Sequence, residues 1–178
     1  MIIETSNIFT KTRKATSRII VHEGSSRSTK TYSIVQYIIF KCLEKRRKVT
    51  VSRQHSTWLK ATALIDFKDI MQTQYKIWEN DRFNKVECEY TFENGSVISF
   101  IGLNEPQKVH GRKQDIAWIN EAMECGFHDF EQLALRTTEQ LIIDYNPSYE
   151  QHWIYDKVIP RDDCTFIKST YKDNKLLS

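Results

Sequence analysis

The stretch Gly24-Ser-Ser-Arg-Ser-Thr-Lys30-Thr31 leads from a glycine through small hydroxylated residues into a lysine followed by a threonine. A phosphate-binding loop of the form G-x-x-x-x-G-K-[ST] asks for these types at this spacing. Its backbone N–H groups cradle phosphates, its lysine neutralises phosphoryl oxygens, and its terminal hydroxyl ligates Mg²⁺. Gly24, Lys30 and Thr31 fill the frame, and Thr29 stands where the second glycine belongs. The candidate nucleotide-binding residues are thus Gly24, Ser25, Ser26, Arg27, Ser28, Thr29, Lys30 and Thr31. A Ser/Thr-rich string with one lysine also occurs in linkers, so independent residues must decide.

The stretch DIAWINEA supplies some of them. A P-loop ATPase needs a strand beside the first, carrying at its C-terminal end an acid for Mg²⁺ and a carboxylate that polarises the attacking water. Glu121 directly follows an apolar run, in the position of that base, and Asn120 takes the place usually given to an aspartate. A neutral amide orients a magnesium-bound water without adding negative charge, which leaves Mg²⁺ chiefly to Thr31 and the phosphates, or to Glu121 as well. A third apolar run, QLIIDYNPS, ends in Asn146-Pro147. An amide at the tip of a strand next to the phosphate site is placed to sense the γ-phosphate. The alternative is a simple turn, which Asn-Pro also favours.

These residues need a scaffold. SRIIVHE (17–23) is rich in β-branched residues and reads as a buried strand. After the loop, Ile34, Val35, Ile38, Ile39, Cys42 and Leu43 recur in pairs four apart, one face of a helix that ends in EKRRK. Lys48 to Ser52 reads as a second strand, and residues 56–78 have helical spacing with Ser56 as a candidate N-cap. VECEYTFENGSVISFIG reads as a hairpin turning at Asn94-Gly95, and a helix is expected around Phe130 to Arg136. Pro160 to Asp163 reads as a turn. Helices alternating with buried strands imply an α/β fold of the P-loop NTPase type: a mostly parallel central sheet flanked by helices, with one hairpin.

The bulk properties fit one globular domain. The 178 residues include 26 Lys+Arg against 23 Asp+Glu, a mild basic balance that permits a polyanionic partner without requiring one. Cys42, Cys88, Cys125 and Cys164 are irregularly spaced with no C-x-x-C pair, which suits core packing in a reducing compartment better than a zinc site or a disulfide framework. No signal peptide or membrane span is read, so no membrane partner is expected.

Five stretches in this order, EGSSRSTKTYS, FIGLNEPQKVHGRKQDIAWINEA, FEQLALRT, IIDYNPSYEQHWIYDKV and STYKDNKLL, resemble the N-terminal ATPase domain of the large terminase subunit of tailed bacteriophages. The likeness is nearest to the PBSX-type branch of defective prophages and runs from about residue 17 to the end. It implies an ATP-driven, Mg²⁺-dependent motor in the bacterial host cytoplasm that pumps double-stranded DNA into a procapsid. Its implied partners are the portal protein, the small terminase subunit and copies of itself in a ring. It implies that Lys30 and Thr31 bind phosphate and magnesium, that Glu121 activates water, and that Tyr145-Asn146-Pro147 couples hydrolysis to DNA movement. Relatives often carry an arginine four residues before the lysine. Here that position is Ser26, so Arg27 is the nearest candidate for a charge-stabilising finger, with Arg53, Arg112 and Arg136 as alternatives.

Residues 1–178 are expected to form a single ATPase domain without the family's C-terminal nuclease, because Asp162, Asp163 and Asp173 lack the spacing of a metal-dependent nuclease site. A helicase- or recombinase-like NTPase, and a docking module whose ATPase has decayed, are the competing readings.

Overall fold

A computed structural model describes residues 3–25, 28–105, 107, 109, 111–148 and 150–173. Its frame is an eight-stranded sheet in the order β3-β4-β5-β2-β6-β7-β1-β8. The strands are β1 (Ile19–Gly24), β2 (Lys48–Arg53), β3 (Phe83–Asn84), β4 (Glu89–Thr91), β5 (Val97–Gly102), β6 (Gln114–Ile119), β7 (Thr137–Tyr145) and β8 (Cys164–Ser169). The pairs among β5, β2, β6, β7, β1 and β8 are all parallel; only β3/β4 and β4/β5 are antiparallel. The expected mostly parallel sheet forms, and the expected hairpin, β4/β5, is extended by β3 into a three-stranded antiparallel edge. At the hairpin tip Gly95 takes φ +79°, and the Asn94 side chain accepts from the Ser96 amide and donates to the Cys42 carbonyl.

Period-two alternation divides the sheet between two cores. Val49, Val51, Ile98, Phe100, Ile116, Trp118 and Ile142 pack beneath α2 (Lys30–Glu44) and α4 (Ala63–Thr73), which contribute Ile34, Ile38, Phe67 and Ile70. Ile19, Val21, Ala117, Ile119, Leu141 and Ile143 face the opposite layer, where Phe130 and Leu133 of α5 (Phe127–Arg136) and Ile154 and Val158 of a short π-helical turn cover them. The cysteines are separate free thiols, three of them buried and Cys164 half-buried. No helix among the described residues is long and apolar enough to cross a membrane.

Several boundaries differ from the sequence reading. The helix expected over 56–78 is two, α3 (Ser56–Lys60) and α4, broken at Ala61-Thr62, and His55 rather than Ser56 occupies the N-cap. Leu43 leaves the apolar face of α2 and is 42% exposed, while Tyr37 is buried and donates to Gln140 Oε1. Several elements went unread, strand β3 and the π-helical turn among them. Helix α1 (Asn7–Lys14) is capped by Ser6, whose hydroxyl accepts from the Phe9 amide, and strand β8 adds a parallel edge beside β1. Strand β8 shows little apolar alternation because it lies at the sheet edge, with half-buried or exposed positions at Cys164, Thr165, Phe166 and Lys168.

His22 lies in the middle of β1 with no exposed surface, its Nε2 3.3 Å from Thr12 Oγ1 of α1. Burial, aided by the nearby Lys30 charge, lowers its pKa to about 3. Asp144 holds the neighbouring register position on β7, but its carboxylate turns to Trp118 and Asn120. Below pH 6.5 the unfolded chain therefore takes up a proton at this residue that the folded chain refuses, and stability falls with pH. Between pH 6.5 and 5 the expected loss is about 2 kcal/mol. Urea unfolding at the two pH values checks it, with His22→Gln as the variant whose pH slope should be flatter.

Candidate functional site

The C-terminal ends of β1, β7 and β6 meet at the N-terminus of α2, as the crossover rule for parallel sheets places a ligand site. Glycine is required at the end of β1 by space. A Cβ on Gly24 would lie 2.3 Å from Ser169 Oγ and 2.7 Å from the Ser169 carbonyl oxygen, so the close approach of β8 excludes any side chain there. Ser28 is buried and its hydroxyl lies 3.3 Å from Ser169 Oγ, while Ser25 is exposed. Ser26 and Arg27 lie outside the described residues.

Thr29 explains the missing second glycine. It is the N-cap of α2 and takes φ 64°, the left-handed region that a glycine enters without cost. The threonine accepts this strain, on the order of 1 kcal/mol, and its hydroxyl donates to the Ser28 carbonyl at 2.6 Å. The loop thus keeps the backbone shape of the pattern with a different residue.

Lys30 opens α2 and is buried at 5% exposure. Its ammonium donates to the carbonyl of Gly24 (2.8 Å) and to Asn146 Oδ1 (2.8 Å), with a longer contact to the Ser25 carbonyl (3.3 Å). Burial lowers its pKa, and the charges of Asp144 and Glu121 oppose that shift. Thr31 follows, half-buried, on the first turn of α2.

Asn146 lies just beyond β7 and joins the two halves of the site. Lys30 can only donate and an ionised carboxylate can only accept, which fixes the amide orientation: Oδ1 toward Lys30, Nδ2 toward Glu121 at 3.1 and 3.4 Å from its two oxygens. Neighbouring Tyr145 ties the same strand end to β1 by donating to Glu23 Oε2 at 3.0 Å. Glu121 follows Asn120 beyond β6 and takes φ 53°. Burial first, then the Asp144 carboxylate, raise its pKa, against Lys30.

One adjacency expected from the sequence is corrected. The strand carrying Asn120 and Glu121 does not lie beside β1, because β7 is inserted between them. Sequence order does not set strand order in a parallel sheet, where each crossover may bury its helix on either side of the strand. The insertion is what puts Asn146 between Lys30 and Glu121.

Asn120 is buried, its amide Nδ2 donating to Asp144 Oδ1 at 3.0 Å. Asp144 was not singled out from the sequence, although it is the one acid within the apolar run of β7. It has no exposed surface, and its Oδ1 also accepts from Trp118 Nε1 at 2.8 Å. Burial raises its pKa, while the Lys30 charge, the two side-chain donors and the Glu121 amide favour the ionised form.

The arginine candidates separate by sheet edge. Arg53 ends β2 on the same edge as Glu121 and is held by a two-pronged ion pair to Glu124 (3.0 and 2.8 Å), with its guanidinium 5.4 Å from the Trp58 ring centre. Arg112 and Arg136 precede the first residues of β6 and β7, at the opposite edge. The basic cluster after α2 is partly engaged internally, since Lys45 and Arg47 both pair with Glu139 at 2.8 Å.

The sequence profile of the phage terminase large subunit family matches residues 16–178. The chain belongs to that family. A search of curated proteins found no match. Among solved structures, the terminase chain resembles the large terminase of a thermophilic bacteriophage, with TM-score 0.84 and 16% identity over 98% of this chain and 48% of that one. The same thermophilic-phage protein in complex with ATP-gamma-S gives 0.79 at 17% identity, over 98% and 47%. The ATPase domain of the Thermus phage P74-26 large terminase gives 0.70 at 11% identity, over 93% and 80%. The bacteriophage Phi-29 viral genome packaging motor assembly gives 0.64 at 11%, over 90% and 56%. The fold is thus that of the terminase ATPase domains, and the chain spans about half the length of the thermophilic-phage protein.

Proposed function

We propose that this terminase chain is an ATP-binding and ATP-hydrolysing motor domain that powers packaging of double-stranded DNA into a procapsid. One observation carries the reading: Lys30, Asn146 and Glu121 form a continuous chain of hydrogen bonds from the helix that receives phosphate to a basic carboxylate two strands away. Lys30 and the loop hold the triphosphate, Glu121 orients and deprotonates the attacking water, and Asn146 changes partners when the γ-phosphate claims Lys30. Tyr145 then passes that change to β1 through Glu23. Membership of the family, the likeness to the ATP-gamma-S complex and the Phi-29 likeness support the reading. The finger that completes the site is Arg27, or an arginine of a neighbouring copy in a homo-oligomeric ring. Portal protein and small terminase subunit are the other partners, in the cytoplasm of the bacterial host.

Magnesium fits the residues present. The Thr31 hydroxyl on the first turn of α2 and the buried Asn120 Oδ1, which has no hydrogen-bond partner, are oxygen donors of the kind Mg²⁺ and its water shell require. When bound, the ion neutralises charge developing on the phosphoryl oxygens.

Fluorescent-ADP titration and phosphate release test the reading. The wild-type chain should bind nucleotide and turn over ATP, and Lys30→Ala should weaken binding by about 10–100-fold, the scale of a charge-assisted contact. No binding by wild type with Mg²⁺ would leave the chain a docking module.

A further inference from the structure

We propose that Asp144 is the acidic group of the magnesium site, carried on β7, one strand over from Asn120, where the family pattern puts an acid. This assignment rests on the nucleotide-binding reading above and deepens it.

Asp144 Oδ1 is saturated by two donors, Trp118 Nε1 and Asn120 Nδ2, whereas Oδ2 is buried without a hydrogen-bond partner. Asn120 Oδ1 is in the same condition. Two acceptors without donors therefore lie at adjoining strand ends, below the helix that starts at Lys30. A role confined to orienting Trp118 and Asn120 uses Oδ1 alone and leaves Oδ2 buried with no hydrogen bond, favoured only by the Lys30 charge and the nearby Glu121 amide. A hydrated cation supplies what both oxygens lack.

The register agrees. Ile142 and Asp144 on β7, like Ile116, Trp118 and Asn120 on and just after β6, alternate onto the face that α2 covers. Asn120 supplies the geometry of the usual aspartate and Asp144 its charge. Such a division leaves Glu121 free of the cation and available to water.

Three chains decide the matter: wild type, Asp144→Asn, and the charge-swapped Asn120→Asp/Asp144→Asn. ADP affinity is measured in EDTA and in Mg²⁺, and Mn²⁺ affinity of each ADP complex by electron paramagnetic resonance. Asp144→Asn should gain less ADP affinity than wild type on going from EDTA to Mg²⁺, and should lose about 10–100-fold in Mn²⁺ affinity, the range for groups supporting a metal through its outer shell. The swapped variant should recover most of that loss, and it supplies the answer if Asp144→Asn alone does not fold. Mn²⁺ affinity within about twofold of wild type in Asp144→Asn, or no recovery in the folded swap, overturns this assignment while nucleotide binding stands. Failure of wild type to bind ADP under either condition overturns both.

Discussion

Glu121→Gln should abolish most ATP turnover, by about 10²-fold or more, while nucleotide affinity stays near wild type. Glutamine keeps an oxygen to accept from Asn146 Nδ2, so the chain from Lys30 through Asn146 survives and the site keeps its shape. What disappears is the basic charge. The pH profile gives a second readout. Burial and the Asp144 charge raise the Glu121 pKa, so its base form fills only above the ordinary carboxylate range, and kcat should fall as pH drops through that raised value. The acid limb should be missing from the residual activity of Glu121→Gln. Phosphate release across pH, beside ADP titration, measures both, and equal loss of binding and turnover would mean that Glu121 shapes the site instead.

Trp118→Ala should cost about 3–5 kcal/mol of stability, the largest structural effect expected at a single position. Trp118 is wholly buried on β6, in the core between the sheet and the helices α2 and α4. Its ring fills space that no neighbour on a hydrogen-bonded sheet can close, and its Nε1 is one of two side-chain donors to Asp144 Oδ1. Trp118→Phe separates the two contributions. It keeps most of the apolar volume and removes the donor, so its cost of about 1–3 kcal/mol reports the carboxylate left short of a partner. Urea midpoints at constant m-value give the figures. Because the same ring supports the strand ends, Trp118→Phe should also weaken Mn²⁺ binding to the ADP complex, a readout that a merely packed tryptophan would not move.

The two variants show how closely core and site are joined. A face of β6 that reads as apolar filling ends in Asn120, and a run of β7 that reads as isoleucines contains Asp144. The site lies at the end of the core, so its polar groups are desolvated and each hydrogen bond there carries more weight.

By itself the sequence determined the local pieces. The loop frame of Gly24, Lys30 and Thr31, the apolar face of α2, the β-branched runs of β1, β2 and β7 and the Asn94-Gly95 turn all follow from spacing and backbone preference within a few residues. So did the identity of Glu121 and Asn146 as groups just past strand ends, because the end of an apolar run is visible in the letters. Thr29 was visible only as a departure; its φ of 64° shows that the loop keeps a glycine-like conformation without the glycine. The tertiary structure decided which strand ends meet. It put β7 between β1 and β6, so that one amide spans from Lys30 to Glu121, and it added β8, whose Ser169 leaves room only for glycine at position 24. It also brought Asp144 against Asn120, 24 residues earlier in the chain, and left Arg112 and Arg136 at the far edge of the sheet. The physical reason is that strand order in a parallel sheet follows from how the crossover helices bury their faces, a non-local choice that no window of sequence encodes.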